Sequence, residues 1–327
     1  MKTFLKTFIV SILFFSLAYS LGGFISIKNN SQTQDLKEHI VRQDNLNNSI
    51  TTKIEETKKQ EEFQDLQEAL KESNRRNILV LGLEEIRSDV MILASFDKDA
   101  QILDVISIPR DTYIHRKGYN SGPERKINAI YYSNGIRGVK QAGEHILKIP
   151  IDNHVIIDYK GVSQIVDTIG GVEVDVPFHM KYDDPTANPP LHIDIKEGKQ
   201  VLDGKDSVDF IRWRKNNNNS INYIDGDLGR IKAQHEFLKS LLSKSRNNLI
   251  KIASPIYNYL DMDLNILEIL MIARDANGID DKNVRFYTLP GDHEFRSVDG
   301  DLYSYYIYDR EEIEKLMEEI YNVKKHP

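Results

Sequence analysis

The sequence predicts an α/β fold: a single α/β/α sandwich domain around a mixed β-sheet, preceded by a transmembrane helix and a polar helical stalk. Three observations predict it. From Asn77 onward, short apolar runs closed by Gly or Pro alternate with stretches of helical periodicity. A run of 20 residues without a charge lies between Phe8 and Ile27. Between these two regions, residues 28–76 are dominated by Gln, Asn, Lys and Glu and contain neither Pro nor Gly.

The amino-terminal run is long enough to cross a bilayer, because 20 helical residues at about 1.5 Å each span roughly 30 Å. Lys2 and Lys6 precede it, so residues 1–7 are expected in the cytoplasm and the remainder outside the cell membrane, with a single pass. A cleaved signal peptide is the rival reading, since small residues occur between Ser16 and Gly23. In the stalk, Leu36 with Ile40, then Leu46, Ile50 and Ile54, then Phe63, Leu66 and Leu70 recur at helical spacing. That predicts a thin amphipathic spacer over 28–76.

The domain is expected over 77–327. Asn77-Ile-Leu-Val-Leu-Gly-Leu83, Val90–Phe96 and Ile102–Ile108 are apolar runs of strand length, the last ended by Pro109. A helix is predicted around Gly138–Leu147, a strand at His154–Asp158, a helix at Gly161–Thr168 and a strand at Val172–Val176. Asp206–Trp213 passes from helix into extended chain, and Asp227–Lys244 forms a long helix. The tail adds a helix at Leu264–Ala273, a strand at Val284–Leu289 and a helix at Arg310–Tyr321. Interleaved strands and helices of this kind make a layered α/β domain.

Composition removes several chemistries. The 327 residues include no cysteine, which excludes disulfides, thiol nucleophiles and thiolate metal sites. A net charge of −7 argues against nucleic acid as partner, because binding phosphates needs a basic surface. No dinucleotide, P-loop, nucleophile-elbow or zinc-protease motif occurs, and the nine histidines show no ligand spacing.

What remains is a set of arginines and acids at the ends of apolar runs. Arg87 and Asp89 are two apart, so on a regular strand they face one way. Arg110-Asp111 follows Pro109 at a strand end, and Arg212 and Arg214 bracket Trp213, the single tryptophan. Asp227, Arg230 and Gln234 share one face at the start of the long helix. Taken singly, each pair is an ordinary surface ion pair. Taken together they suggest a clamp for a polyanion and a divalent cation, with guanidinium forks for phosphate and hard carboxylate oxygens for magnesium.

These stretches resemble the LytR–CpsA–Psr family of cell-wall glycopolymer ligases. The resemblance is carried by Asn77–Leu83, Arg87-Ser-Asp-Val-Met-Ile-Leu93, Ser107-Ile-Pro-Arg-Asp-Thr-Tyr113 and Lys126-Ile-Asn128. It continues through Ile165–Val174, Leu202-Asp-Gly204, Arg212-Trp-Arg214 and Asp227-Leu-Gly-Arg-Ile-Lys-Ala-Gln234. It implies a membrane-anchored phosphotransferase that moves a glycopolymer from a polyprenyl pyrophosphate carrier onto a peptidoglycan hydroxyl and releases polyprenyl phosphate. The polymer is a teichoic acid, a capsule or another wall polysaccharide. By the same resemblance, Arg87, Arg110, Arg212, Arg214, Arg230 and Gln234 bind the pyrophosphate. Asp89 is a ligand of Mg2+ (or Mn2+), and Asp111 is either the general base or the group that orients Arg110. The family's second metal-associated aspartate is replaced by Glu84, on a loop cut to Glu84-Glu85-Ile86. Two alternatives stand beside transfer: hydrolysis of the lipid pyrophosphate, and a non-catalytic lipid-phosphate binding regulator of the envelope.

Overall fold

A computed structural model describes residues 63–84, 87–187, 190–245, 249–277 and 279–324, with the side chains of Glu84, Asp227, Lys251 and Ser254 excepted. The expected cytoplasmic tail 1–7, the membrane span 8–27, the stalk as far as residue 62 and the Glu85-Ile86 loop lie outside the described residues. Among the described residues no helix is long and apolar enough to cross a membrane. The chain divides between Gln60 and Glu61 into two units, and the elements below all belong to the second.

That unit takes in residues the sequence assigns to the stalk. Helix α1 (Leu66–Glu72) is capped by Asp65, whose side chain accepts from Glu68 N at 2.9 Å. Ala69 on it is fully buried, and Phe63, Leu66 and Leu70 pack against the same core. The helical spacing of these side chains is real, but the domain itself covers the apolar face, so the boundary lies before Asn77.

Strands β1 (Arg75–Glu84), β2 (Arg87–Asp97) and β3 (Ile102–Ser107) follow, then α2 (Ile130–Leu147), β4 (Asn153–Asp158) and α3 (Tyr159–Thr168). Helix α2 begins eight residues before its expected start, with a break at Gly135 (φ +60°) that the glycine-rich sequence signals. Next come β5 (Val172–Val176), β6 (Met180–Asp184), β7 (Leu191–Ile195), β8 (Gly198–Leu202), α4 (Gly204–Arg212) and α5 (Asp227–Ser245). The chain continues with α6 (Leu249–Ile256), β9 (Leu260–Met262), α7 (Ile266–Ala276), β10 (Val284–Thr288), β11 (Gly291–Val298), β12 (Asp301–Tyr308) and α8 (Arg310–Ile320).

Six strands form one mixed sheet in the order β10-β3-β2-β1-β4-β9. β1 and β4 are parallel, as are β3 and β10, while the other neighbours are antiparallel. Register places Leu79 opposite Leu93, Leu81 opposite Met91, and Leu93 opposite Ile106. These side chains enter one core with Val139, Ile146 and Leu147 of α2 and Ile313, Met317 and Ile320 of α8. The other face carries Val80, Ile92, Ala94, Val105 and Val155. Ser107 on that face meets His235 of α5 through an Oγ–Nε2 hydrogen bond of 2.7 Å, so α5 lies over it. Helices therefore cover both faces of the sheet, as the sequence predicts.

A second core joins β5–β8 to α4 and α5, with Phe210, Trp213 and Phe237 fully buried in it. The sequence shows β5 but not the hairpins β6–β7 and β11–β12, whose polar residues read as loop. Fully burying one Leu, Ile or Phe side chain contributes about 1.5–3 kcal/mol, so two such cores hold the loops between them firmly.

Candidate active site

An interruption of the sheet aims Asp89. Gly82 pairs with Val90 while Leu83 pairs with Ser88, which leaves Asp89 as the extra residue of a β-bulge. A regular strand would send Arg87 and Asp89 the same way; the bulge breaks that alternation. Asp89 turns inward, whereas Arg87 is exposed and outside the cleft that Asp89 lines. The close approach of β1 and β2 here needs Gly82, because a Cβ on it would come within 2.9 Å of Val90 Cβ.

Asp89 gathers two distant arginines. Its Oδ1 accepts from Arg110 Nη1 at 2.9 Å and its Oδ2 from Arg214 Nη2 at 3.1 Å. The Arg110 loop is pinned by its backbone: Thr112 N and Oγ1 both donate to Pro109 O, at 3.0 and 2.6 Å, and Asn128 N donates to Arg110 O at 3.2 Å. Asp111 points elsewhere, into an ion pair of 3.1 Å with Lys126 Nζ. Arg110 is thus oriented by Asp89 rather than by Asp111, and Asp111 is not among the residues lining the cleft.

Helix α4 ends at Arg212, and Trp213 turns the chain outward, its N–H donating to Asp209 O at 3.0 Å. The indole is 1% exposed and packs on Phe178 and Tyr223, with centroid distances of 4.9 and 5.4 Å. This anchor fixes the two flanking arginines, Arg214 on Asp89 and Arg212 with its Cζ 4.6 Å from the Tyr159 ring centroid. From α5 come Arg230, 4% exposed, and Gln234, whose Nε2 donates to Ile211 O at 3.3 Å. Their spacing of four puts them on one helical face, as expected. The side chain of Asp227 lies outside the described residues.

Asp89, Arg212, Arg214, Arg230 and Gln234 line one cleft of about 320 Å³, and Arg110 adjoins it through Asp89. Among the described residues the cleft lining carries three guanidinium groups and Lys215 against the carboxylates of Asp89 and Asp184, a net cationic surface. The β6–β7 hairpin also lines the cleft, with Tyr182 and Asp184. Sequence reasoning missed it. The available signal was the alternation of Leu191-His-Ile-Asp-Ile195, a half-buried strand pattern. Among the described residues no group of three or more His, Cys, Asp or Glu side chains converges. The Glu84 side chain, the expected second metal ligand, lies outside the described residues, though its backbone pairs with Arg87 beside the bulge.

Comparison with known proteins places the chain among relatives of known name. Over 228 residues the chain is 29% identical to polyisoprenyl-teichoic acid–peptidoglycan teichoic acid transferase TagV of Bacillus subtilis, covering 66% of this chain and 56% of that protein. It is 28% identical over 276 residues to the TagU transferase of Oceanobacillus iheyensis, covering 78% of each. The chain spans 56%, 60% and 52% of the length of the first three curated relatives it matches. The crystal structure of B. subtilis TagV superposes with a TM-score of 0.63 at 26% identity, covering 78% of this chain and 100% of that one. TagT bound to LI-WTA shares the fold at a TM-score of 0.60, with 22% identity. The LytR_cpsA_psr family profile matches residues 39–322, which include every cleft residue named above, and the chain belongs to that family.

Proposed function

We propose that this protein is a phosphotransferase that moves a glycopolymer, a teichoic acid or a related wall polysaccharide, from a polyprenyl pyrophosphate carrier onto a peptidoglycan hydroxyl. The observation that carries the reading is the convergence of Arg212, Arg214 and Arg230 on one cleft, with Arg110 held beside it by Asp89. The names of the teichoic acid transferases it resembles support the same reading.

The acceptor hydroxyl attacks the phosphorus that carries the glycopolymer, the anhydride P–O bond breaks, polyprenyl phosphate leaves with the electron pair, and the hydroxyl proton passes to the departing phosphate. Negative charge grows on the bridging and leaving oxygens. The arginine forks are set to receive it, with no reorganisation at the moment of reaction, because Asp89, Tyr159 and the Trp213 anchor already hold them. Removing one preorganised donor of this kind costs about 3 kcal/mol, on the order of a hundredfold or more in rate.

Magnesium fits the donor chemistry. It is commonly held by one or two carboxylates together with substrate phosphate oxygens, and Asp89 offers a hard carboxylate beside the anion-binding wall. Asp89, with Glu84 at the end of β1, would hold the ion. When bound, it would neutralise phosphate charge. The lipid chain would lie against the half-buried apolar side chains Val80, Val90, Ala94 and Ile157, which share the sheet face that meets α5. Membrane anchoring through residues 8–27 completes the proposal and keeps the enzyme at its lipid substrate.

Labelled polymer transfer to peptidoglycan by the full chain tests the reading, with phosphate release measured without acceptor. Transfer that Arg110→Ala abolishes, at an unchanged melting temperature, supports it. Phosphate release alone favours a hydrolase, and carrier binding with neither activity favours the regulator.

A further inference from the structure

The part of the cleft lined by the β6–β7 hairpin has a chemistry of its own. Register pairs Met180 with Ile195, Tyr182 with Ile193 and Asp184 with Leu191, so one face of the β6–β7 hairpin carries these side chains. Met180, Ile193 and Ile195 are buried in the second core. Further out on the same face, half-buried Tyr182 and Asp184 line the cleft. The inner face of the hairpin therefore ends in an aromatic ring and a carboxylate, in the cleft that Arg212, Arg214 and Arg230 also line.

Asp184 is not spent on those arginines. Its Oδ1 accepts from Thr186 N at 2.9 Å, Thr186 Oγ1 at 2.6 Å and Ala187 N at 3.2 Å. These bonds, the Thr186 hydroxyl foremost, hold the carboxyl below its ordinary value of 3.8, so it is ionised at neutral pH. Among the described residues Oδ2 accepts no hydrogen bond. The hairpin is also braced: Asn217 Oδ1 accepts from Asp183 N at 2.8 Å, and Asn217 Nδ2 donates to Asp183 O at 2.7 Å. Asn216 Oδ1 accepts from Lys181 N at 3.1 Å. The loop that follows Arg214 thus fixes the hairpin.

An anion belongs with the arginines and is repelled by Asp184. The group beside Asp184 is therefore neutral and donates hydrogen bonds, and Tyr182 offers it an apolar face. A pyranose presents both, hydroxyl donors on its rim and C–H groups on its face. We propose that Tyr182 and Asp184 form the subsite for the acceptor sugar, with Asp184 Oδ2 accepting from a sugar hydroxyl and the Tyr182 ring lying against the sugar face. This rests on the transferase reading for its role, but the subsite can be tested separately from it.

The test uses full-length protein, a soluble peptidoglycan glycan fragment as probe, and the variants Asp184→Asn and Tyr182→Leu. Asn keeps an Oδ1 acceptor for all three turn bonds and removes the charge. A charge-assisted hydrogen bond corresponds to roughly tenfold in affinity. The expected result is about tenfold weaker fragment binding by calorimetry and a raised acceptor KM in both variants, with donor KM and melting temperature unchanged. Unchanged fragment binding overturns the subsite, whether or not the melting temperature falls. An equal loss of donor affinity also overturns it, since Asp184 would then face the donor. If the wild type transfers nothing yet Asp184→Asn weakens fragment binding, the transferase reading fails and the subsite stands. If the wild type transfers and Asp184→Asn matches it in every readout, only the subsite fails.

Discussion

Asp89 and Arg214, 125 positions apart, meet at 3.1 Å because a β-bulge turns Asp89 out of the strand alternation. The same carboxylate takes Arg110 at 2.9 Å, so one side chain sets the spacing of two guanidinium groups. Asp89→Asn keeps the shape and removes the charge. Transfer is expected to fall on the order of a hundredfold, because the carboxylate charge that both arginines share is lost, one of the two loses its acceptor oxygen to an amide NH2, and a bound cation would lose its ligand. Stability should fall only modestly: the Arg214 pair, 43% exposed on the arginine side, is worth under about 1 kcal/mol, and the more buried Arg110 pair keeps a neutral acceptor in asparagine. Parallel assays of transfer and thermal melting check both halves; a large drop in melting temperature would show the pair to be structural.

Arg230 is the most buried arginine of the wall, at 4% exposure. Lysine in its place keeps a positive charge but replaces a planar fork by a point donor. Arg230→Lys should therefore lower kcat/KM for the donor by roughly a hundredfold. If lysine restores full activity, charge alone is needed there and the fork is not.

Gly82 sits where β1 and β2 approach most closely at the bulge, and a Cβ would meet Val90 Cβ at 2.9 Å. Gly82→Val forces the strands apart at the point that aims Asp89. We expect a destabilisation of about 1–3 kcal/mol by chemical denaturation, as for other overpacked sites. Activity should fall further than stability explains. Undiminished activity per folded molecule would show that the bulge does not set the aim of Asp89.

These three residues mark where the sequence was legible. The central strands show as apolar runs because both of their faces are covered, and motif order alone picks out Asp89, Arg110, Arg212, Arg214, Arg230 and Gln234. The bulge was not legible: an extra residue leaves no local mark beyond Gly82, so Arg87 was grouped with Asp89 although they part. The pairing of Asp111 with Lys126 was not legible either, since it is a tertiary contact between two loops. The β6–β7 wall was hidden because its strands are five residues each and carry charged residues on the outer face.

Asp104 lies at 0% exposure beneath the sheet, held by Arg75 at 2.8 Å and by Arg285 through bonds of 2.6 and 2.8 Å. This network joins β1, β3 and β10, is not part of the cleft lining, and tests the frame rather than the chemistry. Asp104→Ala leaves the Arg75 charge buried, with a side chain only 2% exposed, and should cost about 3–5 kcal/mol. Chemical denaturation measures this directly. A neutral outcome would mean that water or a neighbouring acid compensates Arg75.

His235 gives the fold a pH dependence whose sign follows from its surroundings. Burial under the sheet lowers its pKa from the ordinary 6.5, with the nearby Glu236 opposing more weakly, and its Nε2 shares a 2.7 Å hydrogen bond with Ser107 Oγ. The native protein therefore resists protonating this ring, while the unfolded chain takes up the proton at the ordinary value. Stability rises with pH wherever the unfolded state binds more protons. The His235 contribution is thus complete above about pH 6.5 and is lost as the pH falls below that value towards the native pKa. Melting temperatures measured between pH 8 and 5 should show this decline in the wild type, and His235→Gln, which keeps a polar partner for Ser107, should flatten it. A native His235 that titrates above 6.5 by NMR would reverse the sign and exclude the account.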